Sequence, residues 1–475
     1  MHRSLKLVLV SLIVAGQLAG CAGRNAPGTS PLPQLARPRL PAAAPSAIDW
    51  PTFGFNRQRW SENHFEKTLT ATTVKGLKLK WSVSVGSTVS NTQPIVAANI
   101  TLPNQKKTQV VFAGDEDGTF TAVDALAGTV LWRKHLGKTS SGCFGGASNG
   151  VTSAPTIDHE KGRVYVIDGA GKLWAFKIAT GAQDPAFPPL RVFTKPLHNH
   201  VWSGLLLDAT NSTLYYPTAS HCDDNLYYGT INAVDVSTQS ISTFQLVTDK
   251  HQYYANGVWS WGGESIDPTN GNLYAGVGNS LGKLGEKGQY SDSVIELTQS
   301  LGFVADEQPE SNLNGDLDIG TTPVLYRSGG SRCAAFERKD GAFFTVDRMH
   351  LQNGRFGTKL NLGGSLATAA YLASSSALFV DVPSGLTRLD THPGCKATQG
   401  WQTAIGGSGD TVPAVAGGVV YASGGGTLYA LDASTGAILW TSGSTVSDSI
   451  VAEPTVVNGR VYVAAWDGKL YAFGL

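Results

Sequence analysis

Residues Gly425-Gly-Thr-Leu-Tyr-Ala-Leu-Asp-Ala-Ser-Thr-Gly-Ala-Ile-Leu-Trp440 repeat a phrase that already stands near the front of the chain. There it reads Asp117-Gly-Thr-Phe-Thr-Ala-Val-Asp-Ala-Leu-Ala-Gly-Thr-Val-Leu-Trp132. Weaker copies lie between the two: Gly171-Lys-Leu-Trp-Ala-Phe-Lys-Ile-Ala-Thr-Gly181, Gly229-Thr-Ile-Asn-Ala-Val-Asp-Val-Ser-Thr238 and Gly341-Ala-Phe-Phe-Thr-Val-Asp347. A truncated copy, Asp467-Gly-Lys-Leu-Tyr-Ala-Phe473, stands at the C-terminus. An internal repeat decides the architecture before any single residue is weighed.

Each copy follows one physical grammar. A β-rich run alternates apolar and polar residues, turns at Gly, and returns as a second run ending on Asp. The Asp can accept bonds from turn amides, and the Gly of the Thr-Gly turn permits a positive φ. A short last strand carries Trp or another large apolar residue, which can pack sideways onto the next unit. With a Pro-marked first strand upstream, as at Gln93-Pro94, Ala154-Pro155, Thr322-Pro323, Val412-Pro413 and Glu453-Pro454, each unit has four strands. A recurrence of roughly 40–60 residues is the period of a propeller blade.

Ala122, Ala175, Ala233, Val294, Thr345, Thr387, Ala430 and Ala472 are then equivalent third-strand positions, and the fold expected is all-β with eight blades. The last blade lacks its fourth strand. Residues 77–85, with Trp81 matching Trp440, are the candidate to supply it and so close the ring.

The repeat Gly-x-Leu-Tyr-Ala-Leu-Asp-Ala-x-Thr-Gly-x-x-x-Trp resembles the tryptophan-docking repeat of pyrroloquinoline-quinone (PQQ) propellers, over residues 49–475. That superfamily holds quinoprotein alcohol dehydrogenases and also cofactor-free propellers such as the lipoprotein subunit of the β-barrel assembly machinery. The resemblance therefore implies a fold more firmly than a function.

The remaining composition is restrictive. Among 475 residues, 56 are Gly and only 15% are charged, as turn-dense β structure requires. The formal net charge is +0 and no basic stripe appears, so nucleic acid is not an expected partner. Residues 1–20 read as a signal peptide: His2, Arg3 and Lys6 precede the apolar run 7–14. Leu18-Ala-Gly-Cys21 resembles a bacterial lipobox, which makes Cys21 the expected lipidation site. Ala22 in place of Asp sends such a lipoprotein to an outer membrane, facing the periplasm, where the envelope has one. Residues 21–48, rich in Pro, Ala and Ser, read as a flexible tether. Of the other four cysteines, Cys143 with Cys222 and Cys333 with Cys395 are the neighbour-blade pairs. No Cys-x-x-Cys-His is present, so no covalent haem is expected.

Chemistry in a propeller gathers where the innermost strands begin. Trp261-Gly-Gly-Glu-Ser-Ile-Asp-Pro268 and Gly276-Val-Gly-Asn279 resemble the dehydrogenase segment in which Trp stacks on the quinone and Asn ligates calcium. Gly315-Asp-Leu-Asp-Ile-Gly320 resembles the segment of the catalytic base, with Asp318 the better match and Asp316 its neighbour. Glu337-Arg-Lys-Asp-Gly341 resembles the turn whose basic residue contacts the quinone, which assigns that part to Lys339. The resemblance thus implies PQQ held by Trp261, Asn279 and Lys339, with calcium on Asn279 and Asp318 and with Glu264 as a substitute ligand. Asp318 would take the proton as hydride leaves an alcohol or sugar for the quinone. Electrons would pass to a separate carrier.

The same residues have structural uses. Trp259 and Trp261 can pack between blades, Asn279 can cap a turn, Asp316 and Asp318 can bond loop amides, and Lys339 can be a solvated turn residue. His198 and His200 flank Asn199 without a spaced third ligand. The family's second calcium ligand, a Glu from blade two, is missing; Asp168 is nearby but shifted. The competing function is a cofactor-free scaffold that binds an envelope protein.

Overall fold

The computed structural model describes residues 47–140, 148–221, 223, 226–282, 289–309, 316–352, 354–407, 409 and 411–475. The chain divides into Met1–Ser46 and a compact unit, Ala47–Leu475. The compact unit contains eight four-stranded antiparallel sheets, one of them extended by a fifth strand, and among the described residues its only helices are single 3₁₀ turns. This is the expected eight-bladed β-propeller. Third strands run at Thr119–Asp124, Lys172–Lys177, Thr230–Asp235, Val294–Leu297, Ala342–Asp347, Gly385–His392, Thr427–Asp432 and Lys469–Gly474, in blades 1 to 8. All eight positions matched from the repeat fall on them. Among the described residues no helix is long and apolar enough to cross a membrane.

Blade 8 closes as the repeat requires. Lys78–Ser84 pairs antiparallel with Lys469–Gly474, and Trp81 lies opposite Ala472 as Trp440 lies opposite Ala430 and Trp132 opposite Ala122. The closing strand is the outermost of blade 8 and covers what would otherwise be the open edge of Lys469–Gly474. The largest apolar core, with Phe112, Tyr421, Tyr462 and Phe473, joins the blades on both sides of this closure.

The repeat residues hold blade to blade. Trp81, Trp132 and Trp401 each send the indole N–H to a turn carbonyl of the next blade: Ala125 at 3.2 Å, Ile178 at 2.9 Å and Ala433 at 3.2 Å. Each ring lies on the turn glycine of that blade. A Cβ on Gly128, Gly181 or Gly436 would stand 2.5–2.6 Å from an indole atom, and all three have φ of +67° to +74°. Glycine is required there twice over, for conformation and for space. Asp124 Oδ1 accepts from the amides of Leu126 and Ala127, and Asp432 Oδ1 from those of Ser434 and Thr435, which sets the turn.

The opening segment does not simply precede the propeller. Ile48 donates to Asn458 Oδ1 of blade 8 at 3.0 Å, and Trp50 bridges Val96 of blade 1. Pro51 then accepts from Ile157 of blade 2, and Thr52 donates to Leu205 of blade 3. The carbonyls of Arg57, Gln58, Trp60 and Ser61 accept from Ile266, Leu325, Tyr371 and Val415 of blades 4 to 7. Asn63 donates to Val456, back on blade 8. Residues 48–63 thus make one full circuit, tied to the innermost strand region of every blade. This strap crosses the channel and closes one end of it.

Candidate binding site at the mouth of the channel

The other end of the channel opens as a cavity of about 850 Å³. Its walls come from the loops before the innermost strands and from the turns between second and third strands, so all eight blades contribute. The volume is that of a small-molecule site.

Trp261 reaches this cavity. Its ring is partly buried against Phe53 of the strap, Ala154 and Val412. The two following glycines are needed to turn the chain there. A Cβ on Gly262 would stand 3.0 Å from the Phe53 ring, and Gly263 has φ +67°. Trp261 is therefore seated on the strap rather than sandwiched between neighbouring blades.

Asp318 and Lys339 face the same space as an ion pair. Lys339 Nζ lies 2.5 Å from Asp318 Oδ2 and 2.6 Å from Asp316 Oδ1, and 5.0 Å from the centroid of the Trp259 ring. Asp318 is 3% exposed, and its Oδ1 also accepts the backbone N–H of Asn279. Gly278 makes that approach possible, since a Cβ there would stand 2.5 Å from Oδ1. Burial pushes the Asp318 carboxyl up to about 6, against the pull of Lys339 and the Asn279 amide. Burial works against the charge of Lys339 too, but the Asp318 and Asp316 carboxylates outweigh it and hold its pKa above the usual lysine value.

The other sequence candidates lie elsewhere. Asn279 is buried behind Asp318 and Glu264 is fully buried; neither lines the cavity. Glu264 sits beside Arg59, whose Nε donates to the Glu264 carbonyl at 2.9 Å. Its carboxylate oxygens have no hydrogen-bond partner among the described residues, and burial pushes its pKa up to about 8 against the opposing effect of Arg59. Asp168 is consumed by its own turn and the neighbouring blade, accepting from Lys172 and Trp174 of blade 2 and from Gly137 of blade 1. His198 is bonded to the Leu226 carbonyl, while His200 is buried, with its pKa pushed down to about 4 by burial and by His221. The Cys333–Cys395 disulfide joins blades 5 and 6. Cys143 and Cys222 lie outside the described residues.

Sequence reasoning missed several walls of the cavity: Trp202, Tyr227, Trp466, Glu116 and His221. Trp466 had a readable signal, standing one residue before the Asp-Gly turn of blade 8. Glu116 holds the same place before Asp117-Gly118 of blade 1, while the others belong to irregular loops that follow no period.

The implied quinone and calcium fit these residues poorly. The calcium set of Asn279, Asp318 and Glu264 does not converge on the cavity. Asp318 is already engaged by Lys339 and by an amide, and Glu264 lies outside the lining beside Arg59. Among the described residues no group of three or more His, Cys, Asp and Glu side chains could hold a metal ion. PQQ is itself a tricarboxylate, and Lys339 is the single lysine or arginine among the described lining residues, shared with two aspartates.

Comparison with known proteins gives the same fold. A quinohemoprotein alcohol dehydrogenase from Comamonas testosteroni superposes with a TM-score of 0.67 at 17% identity, over 90% of this chain and 80% of that one. A europium-containing methanol dehydrogenase gives 0.67 at 13% identity, over 90% and 98%. BamB from Moraxella catarrhalis gives 0.56 at 14% identity, over 84% and 100%. Such identities speak for the fold alone. No curated protein matches the chain in sequence. Residues 63–242 and 391–474, more than half of the chain, match the model of the family described as outer membrane protein assembly factor BamB, and the chain belongs to that family.

Proposed function

We propose that this protein is an exported, lipid-anchored scaffold of the cell envelope that binds a protein partner at the channel mouth. The partner would be of the outer-membrane-assembly kind that its family name describes. The observation that carries this reading is the Lys339–Asp318 pair. A catalytic base must be free to take a proton, and a cofactor-binding cation must be free to meet an anion. Here each neutralises the other. Family membership supports the scaffold reading, as does the lack of a convergent metal-ligand cluster among the described residues. Ala47, where the compact unit begins, accepts from Asn99 Nδ2 at the far ends of the innermost strands.

The competing quinoprotein reading draws on the presence of Trp261, Asp318 and Lys339 at one cavity. One experiment separates the two. The purified protein is incubated with PQQ and calcium and assayed for quinone absorbance and dye reduction. A photo-crosslinking residue placed at exposed Leu226 or Trp466 is tested in cells for capture of an outer-membrane assembly component. The scaffold reading expects capture without dye reduction. Dye reduction that disappears in Asp318→Asn would overturn it.

A further inference from the structure

We infer that the mouth of the channel is a receptor for an organic cation, an ammonium or guanidinium group carried on an apolar body. The inference rests on reading the mouth as a binding site rather than a redox site, and it names the chemistry of what binds there.

The walls are aromatic and acidic at once. Trp202, Trp259, Trp261 and Trp466 stand around the cavity from blades 3, 4 and 8. Glu116, Asp223 and Asp318 bring carboxylates from blades 1, 3 and 5. Against these three stands Lys339, whose charge is already divided between Asp316 and Asp318. Among the described lining residues the balance is therefore negative at neutral pH.

Lys339 also displays the recognition geometry in miniature. Its ammonium lies over the Trp259 ring at 5.0 Å with a carboxylate in contact at 2.5 Å. A cation over an indole face gains from the ring quadrupole, most strongly where water is excluded. A second cation entering between the remaining tryptophans and carboxylates would gain from both. An anion would give up its water to meet like charge, and a neutral ligand would gain only apolar contact. Tyr227 stands on the same wall. Burial holds its hydroxyl pKa well above 10, and Asp223 and Asp318 push in the same direction. At about 850 Å³ the cavity has room for the charged group and the body that carries it.

Such a group can arrive as a free amine or as a Lys or Arg side chain of a protein partner. The test titrates the full chain by calorimetry and tryptophan fluorescence with three probes: benzyltrimethylammonium, phenylacetate, and the peptide acetyl-Leu-Arg-Leu-amide. At least one of the two cations should bind, weakening as salt is added, with phenylacetate at least roughly tenfold poorer. Tighter binding of the small ion identifies a free amine as the source; tighter binding of the peptide identifies a partner side chain. Trp466→Ala and Glu116→Gln, both chosen away from the apolar core, should each weaken the cation roughly three- to tenfold with unchanged circular dichroism. The inference is overturned if phenylacetate binds as well as the cations, if neither cation binds, or if both variants keep full affinity. Dye reduction with PQQ and calcium sinks the scaffold reading instead, whatever the cations do, so the two failures are told apart.

Discussion

Arg59 donates from Nε to the carbonyl of Glu264, a residue 205 positions further along the chain, and is itself fully buried. The same guanidinium donates to Thr52, to the Phe53 carbonyl at 2.7 Å and to the Gly204 carbonyl at 3.1 Å. One side chain thus ties the strap to blades 3 and 4. Arg59→Ala would leave the buried carbonyls of Phe53, Gly204 and Glu264 without their donor and a cavity in place of the guanidinium. The expected loss is about 3–5 kcal/mol, measured by urea unfolding.

Glu264 should make stability depend on pH. Its pKa is raised from an ordinary 4.5 to about 8, by burial first. A group raised in the folded state contributes stability that is fully present below pH 4.5 and is lost as pH rises through about 8. Within that window the contribution falls by about 1.4 kcal/mol per pH unit. Glu337 and Glu453 are pushed the same way by burial. Glu264→Gln should flatten the decline, read as melting temperature against pH from 5 to 9. An unchanged slope would mean Glu264 is ionised in the folded protein at neutral pH.

The closing strand should be indispensable. Trp81→Ala removes the indole seated on Gly128 and its bond to Ala125, for an expected loss of about 3 kcal/mol. Gly128→Ala should cost about 1–3 kcal/mol from the positive φ alone, and more because the new Cβ meets Trp81. A chain starting after residue 85 exposes the edge of Lys469–Gly474 and should aggregate, which size-exclusion chromatography would report.

Reducing the Cys333–Cys395 bridge, which spans a sequence separation of 62 residues, should destabilise the ring by about 2–4 kcal/mol. The double Cys→Ser variant should melt lower than the oxidised protein and should no longer respond to dithiothreitol at that site.

Cys21→Ser should move the protein from the membrane fraction to the soluble envelope fraction. Retention with detergent-extracted membranes would place the anchor elsewhere. Because one acyl chain binds only marginally, a stable anchor at Cys21 implies more than one chain.

The ring was legible because its signals are local and periodic. Ala122, Ala430 and Ala472 each sit opposite a Trp in the next strand, and a pattern of that kind survives in one dimension. Trp261, Asp318 and Lys339 were legible through motif resemblance, and the structure brings all three to one cavity. Glu264 misled, because its place beside Trp261 in sequence says nothing of which way it points. It lies against the strap, not in the mouth.

By itself the sequence determined the number of blades, the position of every third strand and the closure by residues 77–85, because β-turn chemistry and strand alternation act between near neighbours. Only the tertiary structure decided the circuit of residues 48–63, the blind end it gives the channel and the Lys339 bridge between two aspartates. Those depend on groups that meet across the ring, as Thr52 meets Leu205 and Ser61 meets Val415, and no period in the chain encodes such meetings.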